Sequence, residues 1–291
     1  MTVPKISQEM IQAYDDYTHL TLDRRGFMEK LTKLAGSGAA AVAIAPMLAS
    51  NYAQAQIVAA DDSRLKIEDV TFPGPTGDMK GYLVTPANAA GKLPAVIVIH
   101  ENRGLNPHIK DVTRRMGLEG FVALGIDLLS RVGGTPATED EAAALFQNID
   151  RAALVPDAIS AIGYLKGLPT TNGNVGAMGF CFGGGIVNQM AVATPDLKAG
   201  VAYYGNQAKD GIDKIEAKLM LHYAGLDERI NAGIADYEAA LKAAGVDYQL
   251  FIYEGANHAF NNDASAARYN KEAADLAWSR TVAFLKESLA G

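Results

Sequence analysis

One cysteine, one tryptophan and five histidines are all that this 291-residue chain has of the residue types that build disulfide frameworks and zinc sites. A single cysteine excludes an internal disulfide and any multi-cysteine zinc site. The histidines (His19, His100, His108, His222 and His258) show no H-E-x-x-H or other close metal spacing, so no metal is expected. There is no G-x-x-x-x-G-K-[ST] sequence, which removes a phosphate-cradling loop. The net charge is −7 and no basic stretch stands out, so nucleic acid is not expected as a partner. No apolar run reaches the roughly 18 residues of a membrane span. With 49% hydrophobic and 20% charged residues, the chain suits one large α/β domain with a sizeable core.

What the chain does have is a glycine-framed turn around its only thiol. Val175-Gly176-Ala177-Met178 reads as a buried strand, Gly179-Phe180-Cys181-Phe182-Gly183-Gly184 as a sharp turn, and Ile186 to Val192 as a helix. This is the nucleophile-elbow pattern of α/β-hydrolases with cysteine where serine is usual. Any Cβ at Gly179 or Gly183 would crowd a strained turn that lifts the sulfur above the sheet. The helix that follows offers free N–H groups and a dipole favouring a thiolate and later an oxyanion. Three other readings compete. A lone cysteine is commonly a small buried hydrophobe, but that does not explain glycines on both sides. A dinucleotide loop needs G-x-G-x-x-G, and the run gives G-x-x-G-x-x-x-G instead. A redox-sensing thiol would want a resolving cysteine, and there is none.

The first 55 residues read as an export signal rather than as fold. Arg24-Arg25-Gly26-Phe27 precedes a mild Ala/Gly-rich apolar run from Leu34 to Ala49, and Ala53-Gln54-Ala55 has the form of a cleavage site. The pattern resembles a twin-arginine leader, with Asp23 where Ser or Thr is commoner. It implies the twin-arginine export machinery as a partner, a periplasmic location and a mature N-terminus near Gln56. A membrane anchor is the competing reading, but the apolar run of about 16 residues is short and interrupted by Gly36, Gly38 and Pro46. Residues 56–63 read as a linker, and 64–291 as one domain of the α/β-hydrolase type.

Along that domain, strands are expected at Leu65–Phe72, Lys80–Val84, Pro94–Ile99, Phe121–Leu129, the elbow strand, Ala199–Gly205, Lys218–Tyr223 and Tyr248–Tyr253. Helices are expected at Ile109–Leu118, Glu139–Asn148, Ala152–Lys166, after the elbow, at Ile230–Ala244 and from about Ala264 to Ser288. The continuous apolar run Pro94–Ile99 is typical of a strand covered on both faces. Alternation of this kind implies a single-domain, doubly wound, mostly parallel sheet, in which ligands bind beyond the carboxyl ends of the strands. Glu101, Cys181, Asp227 and His258 each fall at such an end.

The order nucleophile, acid 46 residues later, histidine 31 residues after that is the α/β-hydrolase order. Cysteine needs the imidazole as proton carrier, and the imidazole needs the carboxylate to fix its tautomer. His100-Glu101, Asp127-Leu128-x-x-Arg131, Gly179-Phe180-Cys181-x-Gly183-Gly184, Tyr203-Tyr204-Gly205, Gly225-x-Asp227 and His258-x-Phe260 together resemble the dienelactone hydrolases (carboxymethylenebutenolidases) over residues 65–288. The resemblance implies an α/β-hydrolase fold and a triad of Cys181, Asp227 and His258. It implies that Glu101 contacts the resting thiol and helps deprotonate it, with an oxyanion hole of the Asn102 and Phe182 backbone N–H groups. The implied reaction is hydrolysis of a small lactone or ester through an acyl-cysteine, without a cofactor. The alternative is a non-catalytic binding protein on the same fold, which would have no need of nucleophile, acid and histidine together.

The match has one departure. Relatives acting on dienelactone hold its carboxylate with arginines, one of them four residues after the catalytic histidine. Asn262 stands there in this chain, and the helix Glu139–Asn148 carries no arginine. Arg131 and Arg151 are the nearest basic residues in sequence; Arg131, Tyr203, Phe260 and Asn262 are the expected pocket residues. Other readings stay open: Glu101 as a solvated loop acid, Glu228 as the triad acid, and His100 and His222 as structural histidines. His108 reads as a surface helix start, and Trp278, Tyr203 and Tyr204 as core or pocket wall.

Overall fold

The alternation read from the sequence produces one eight-stranded sheet. The computed structural model describes residues 5–19, 21–51 and 56–290, so the expected cleavage site Ala53-Gln54-Ala55 lies outside the described residues. Three helices come first: α1 (Gln8–Thr18), α2 (Arg24–Ala35) and α3 (Gly38–Leu48). Local chemistry sets their starts. The Ser7, Asp23 and Ser37 side chains accept from the Met10, Gly26 and Ala40 N–H groups, and Gly36 ends α2 at φ 79°. Asp23, unusual for an export leader, is thus the cap of the helix that carries Arg24 and Arg25. Met10, Tyr14, Phe27, Leu31, Ile44 and Leu48 bury one another in a small core separate from those of the sheet. No single described helix is long and apolar enough to cross a membrane; α2 and α3 pass together on length and composition but are bent by 113°.

The domain begins as a hairpin, β1 (Leu65–Gly74) and β2 (Gly77–Pro86), closed by Pro75-Thr76. Then come β3 (Leu93–Ile99), α4 (Pro107–Leu118), β4 (Val122–Asp127), α5 (Glu139–Asn148), α6 (Arg151–Gly167), β5 (Thr171–Phe180), α7 (Phe182–Ala193), β6 (Ala199–Tyr203) and β7 (Lys218–Ala224). A short α8 (Glu228–Asn231), α9 (Ile234–Ala244), β8 (Tyr248–Tyr253) and α10 (Lys271–Ser288) complete the chain. The sheet order is β1-β2-β4-β3-β5-β6-β7-β8, with β1, β2 and β4 paired antiparallel and β3 to β8 all parallel.

Successive residues of β3 enter different cores. Ala95, Ile97 and Ile99 pack on the α6–α7 side, and Val96 and Val98 on the α4–α10 side. That two-sided burial is why the strand is apolar without alternation. Four expectations are corrected. The helix expected over Ile230–Ala244 is two helices broken near Gly233, and the last helix starts at Lys271 rather than near Ala264. The linker is anchored, since Val58 is buried and its backbone N–H and C=O bond Asp111 and Arg114. His108, far from being a surface residue, is buried with its Nδ1 2.9 Å from the Asp263 carboxylate.

Candidate active site

The elbow forms as its glycines require. β5 ends at Phe180, Cys181 takes φ 54° and ψ −114°, and α7 starts at Phe182. A Cβ on Gly179 would lie 2.2 Å from the Gly183 carbonyl oxygen, and one on Gly183 2.5 Å from that of Ile99. Only glycine lets the turn press against itself and against the end of β3. Cys181, Tyr204 and Ala259 are the three described non-glycine residues with positive φ, and all belong to the site. Backbone strain is therefore concentrated where the chemistry would be.

Asp227 caps α8 just beyond β7, and His258 lies in the loop after β8. Asp227 Oδ2 and His258 Nδ1 are 2.5 Å apart, both residues buried. His258 Nε2 has no hydrogen-bond partner among the described residues, and a ring nitrogen of His258 lies within 4.8 Å of the Cys181 sulfur. Glu228 makes no such contact; Asp227 is the acid beside the histidine. Burial opposes charge on Asp227, and the His258 contact outweighs it, holding the carboxyl below its usual range. Burial likewise opposes charge on His258, but Asp15, the Cys181 sulfur and Asp227 raise it well above the ordinary value.

Glu101 follows β3 and is buried, yet its carboxylate does not bond the thiol: Oε2 accepts from Asn262 Nδ2 at 3.0 Å. Asn262 is thus turned toward Glu101, away from the part of a substrate-binding arginine. The sulfur's close neighbour comes instead from the N-terminal segment. His19 Nε2 stands 3.3 Å from Cys181 Sγ, its ring edge-on to His258 at 4.5 Å between centroids. Its Nδ1 is 2.8 Å from the Asp15 carbonyl oxygen and 3.3 Å from the Asp15 carboxylate. Burial pushes the Cys181 thiol up, but the positive imidazoles of His19 and His258 pull it down to about 6. Burial presses His19 down, and Cys181 with Asp15 lifts it to about 9. The donor atoms of His19, Cys181 and His258 all lie within 4.8 Å of one another, a spacing a soft cation could also use. The strained elbow, which a metal ligand does not require, favours the reading as a reacting sulfur between two imidazoles.

A cavity of about 240 Å³ opens on the sulfur, lined by His19, Asn102, Cys181, Phe182, Tyr204 and His258, with Arg151 and Arg229 at its exposed rim. Asn102 and Phe182, whose backbone N–H groups are the expected oxyanion hole, both line it. None of the four expected pocket residues lines it among the described residues, Asn262 being turned to Glu101. Arg131 makes a bidentate pair with Asp157 of α6, Tyr203 bonds Thr281 in the core at 2.7 Å, and Phe260 is fully buried behind Tyr204. His100 and His222 are structural, as expected. The first accepts from Leu128 N–H, and the second bonds Thr281 and Tyr253. Burial lowers both. A larger hollow of about 500 Å³ beside β2 is lined by Lys80, Asp127 and Thr135 and holds none of the candidate catalytic side chains. Sequence reasoning missed His19, set aside with a presumed leader, and Arg229, whose signal was its place two residues after the acid.

The dienelactone hydrolase family profile matches residues 79–289. The chain belongs to the dienelactone hydrolase family. Relatives include a "Putative carboxymethylenebutenolidase" of Saccharolobus solfataricus, 33% identical over 258 residues (75% of this chain, 98% of the relative). Another of the same description, from Synechocystis, is 34% identical over 244 residues (77% and 98%). The crystal structure of a "Putative Dienelactone Hydrolase" from Klebsiella pneumoniae superposes with a TM-score of 0.69 at 27% identity, over 77% of this chain and 99% of that one. This dienelactone hydrolase is therefore an enzyme acting on ester bonds, with small lactones or esters as its substrate class. Helices α1–α3, and His19 with them, lie outside the matched residues.

Proposed function

We propose that the hydrolase works through an acyl-cysteine at Cys181, with His258 as proton carrier and Asp227 as its orienting acid. The observation that carries this reading is the Asp227–His258 contact at 2.5 Å, with the imidazole within 4.8 Å of a sulfur on a strained elbow. The thiolate attacks the ester carbonyl, a C–S bond forms, and the oxyanion rests against the Asn102 and Phe182 N–H groups. When the C–O bond breaks, the leaving oxygen takes the proton from His258; in a lactone it stays tethered to the acyl group. Water then gives a proton to His258, the hydroxide attacks the thioester, and sulfur departs again as thiolate. The small cavity and its rim arginines, neither ion-paired with a described residue, suit a compact acyl group bearing a carboxylate.

A slow ester should leave its acyl mass on the peptide containing Cys181 and on no other. Cys181→Ala and His258→Ala should each nearly abolish turnover. Cys181→Ser should retain at most weak activity, because a hydroxyl is far harder to ionise than a thiol. Full turnover in Cys181→Ala, with no adduct on wild type, would end the cysteine mechanism. We further propose that Arg24 and Arg25, both highly exposed at the start of α2, address the folded chain to the twin-arginine route.

A further inference from the structure

We propose that His19, held by Asp15, is a second catalytic imidazole that keeps the Cys181 sulfur as a thiolate in the resting enzyme. The inference rests on the cysteine reading above. The sulfur sits between two carboxylate–imidazole pairs, Asp227–His258 on one side and Asp15–His19 on the other. The second pair is built into the site by several independent contacts. The Asn102 side chain donates to the Thr18 carbonyl oxygen at 2.6 Å, Arg268 reaches Asp15 and stands 5.1 Å over the Tyr14 ring, and Gln8 bonds Asn257 next to His258. Thr18, Asp15 and Tyr14 are all buried.

His19 does not plug the site. The cavity of about 240 Å³ still reaches the sulfur with His19 in place as one of its walls. An acyl carbonyl can therefore approach from the Phe182–Asn102 side while the imidazole stays on the sulfur. Charges facing His19 divide in sign. Asp15 on its own helix, the Cys181 sulfur, Glu101 after β3 and Glu139 of α5 favour the imidazolium. His258, Arg103, Arg268 and the rim arginines Arg151 and Arg229 oppose it, and Tyr14 is neutral. Asp15 and the sulfur are in contact with the ring, whereas Arg268 is already engaged with Asp15, so the nearest groups favour the charged form. In the reaction His19 keeps its proton throughout. It neutralises the thiolate before attack and the departing thiolate after hydrolysis, while the proton that moves is the one on His258. Glu101, bonded to Asn262, is then not needed as the base that empties the thiol.

The test reads the thiol directly in the full chain. Wild-type alkylation by iodoacetamide should follow an inflection near pH 6, where the lowered Cys181 places it. His19→Ala and His19→Gln should move that inflection up by about one unit or more, the shift expected when an adjacent opposite charge is lost. At pH 7, kcat/KM should fall about 10-fold or more in both, less at pH 9, and added imidazole should partly rescue His19→Ala. Asp15→Asn should shift the inflection in the same direction with the His19 ring retained, which covers the case in which a His19 variant folds poorly. An unchanged inflection in the soluble, folded variants would overturn the proposal, as would a rise in activity, the signature of a removable plug. Acyl trapping on Cys181 in wild type separates this failure from a failure of the cysteine mechanism itself. A cut after Ala55 would take His19 away, so the active enzyme should also show an intact mass that includes residue 19; an active form beginning near Gln56 counts against the proposal.

Discussion

Adding one methyl group at Gly179 should damage the enzyme in two measurable ways. The Cβ of Gly179→Ala would lie 2.2 Å from the Gly183 oxygen, 2.4 Å from its carbon and 2.9 Å from the Gly184 nitrogen. Ordinary contact begins near 3.4 Å, so the shortfall exceeds an ångström, and every obstacle is backbone. Gly183 cannot simply retreat, because it already packs against the Ile99 and His100 carbonyls. Overpacking of this kind costs about 1–3 kcal/mol or more, which for a domain of this size lowers Tm by roughly 2–12 °C. A displacement of about an ångström at a nucleophile can reduce turnover on the order of 100-fold. Calorimetry and turnover of a chromogenic ester at saturation measure the two effects. Gly163→Ala, in α6 with open space around the added carbon, serves as control and should stabilise by about 0.5–1 kcal/mol. A Gly179→Ala enzyme with unchanged Tm and turnover within about twofold of wild type would refute the account of the elbow, since a Cβ essentially never sits within 3.0 Å of another atom.

The arginines should separate by role. Arg151→Ala should raise KM for an anionic ester about 10- to 100-fold and leave a neutral ester of the same size unaffected, as loss of a charge-assisted contact requires. Arg131→Ala should leave both KM values alone and instead lower stability by about 3 kcal/mol, because it strands the buried Asp157 carboxylate. Replacing Arg24 and Arg25 together by lysine should keep the chain in the cytoplasm; export undiminished by the change, followed by cell fractionation, would refute the twin-arginine proposal. The ion pair of Cys181 and His19 sets a pH window for activity. The depressed thiol loses its charge as pH falls through about 6, and the raised imidazole loses its charge as pH rises through about 9. A bell-shaped kcat/KM profile with those limbs is expected, the acid limb moving up in His19→Gln.

Much of this was legible because the physics is local or periodic. β3 is apolar at every position since both faces are covered, and the elbow glycines mark backbone contacts only a few residues apart. Spacing alone brought Cys181, Asp227 and His258 to strand ends. What escaped notice depends on partners distant in sequence. The break before α9 comes where a Cβ on Gly233 would strike the Gln207 side chain at 2.6 Å. Residues 264–270 are held by Asn262, Ser265 and Asn51 contacts rather than by a helix ladder. His108 is buried by Asp263, which no local pattern announces. His19 was hidden for a different reason: an Arg-Arg pair and an alanine-rich run look like a leader whether or not the helices they form also pack.

The distance along the chain between His19 and Cys181, 162 positions, has a consequence for how a reactive sulfur is kept safe during synthesis. A thiolate is the form that oxidises and alkylates, whereas a neutral thiol is comparatively inert. The imidazole made near the start of the chain meets the sulfur only where the folded sheet presents the elbow, and the α1 segment is held there by Asn102 after β3 and Asn257 after β8. Without that contact the newborn chain carries an ordinary cysteine, so its reactivity arrives with a long-range contact of the fold.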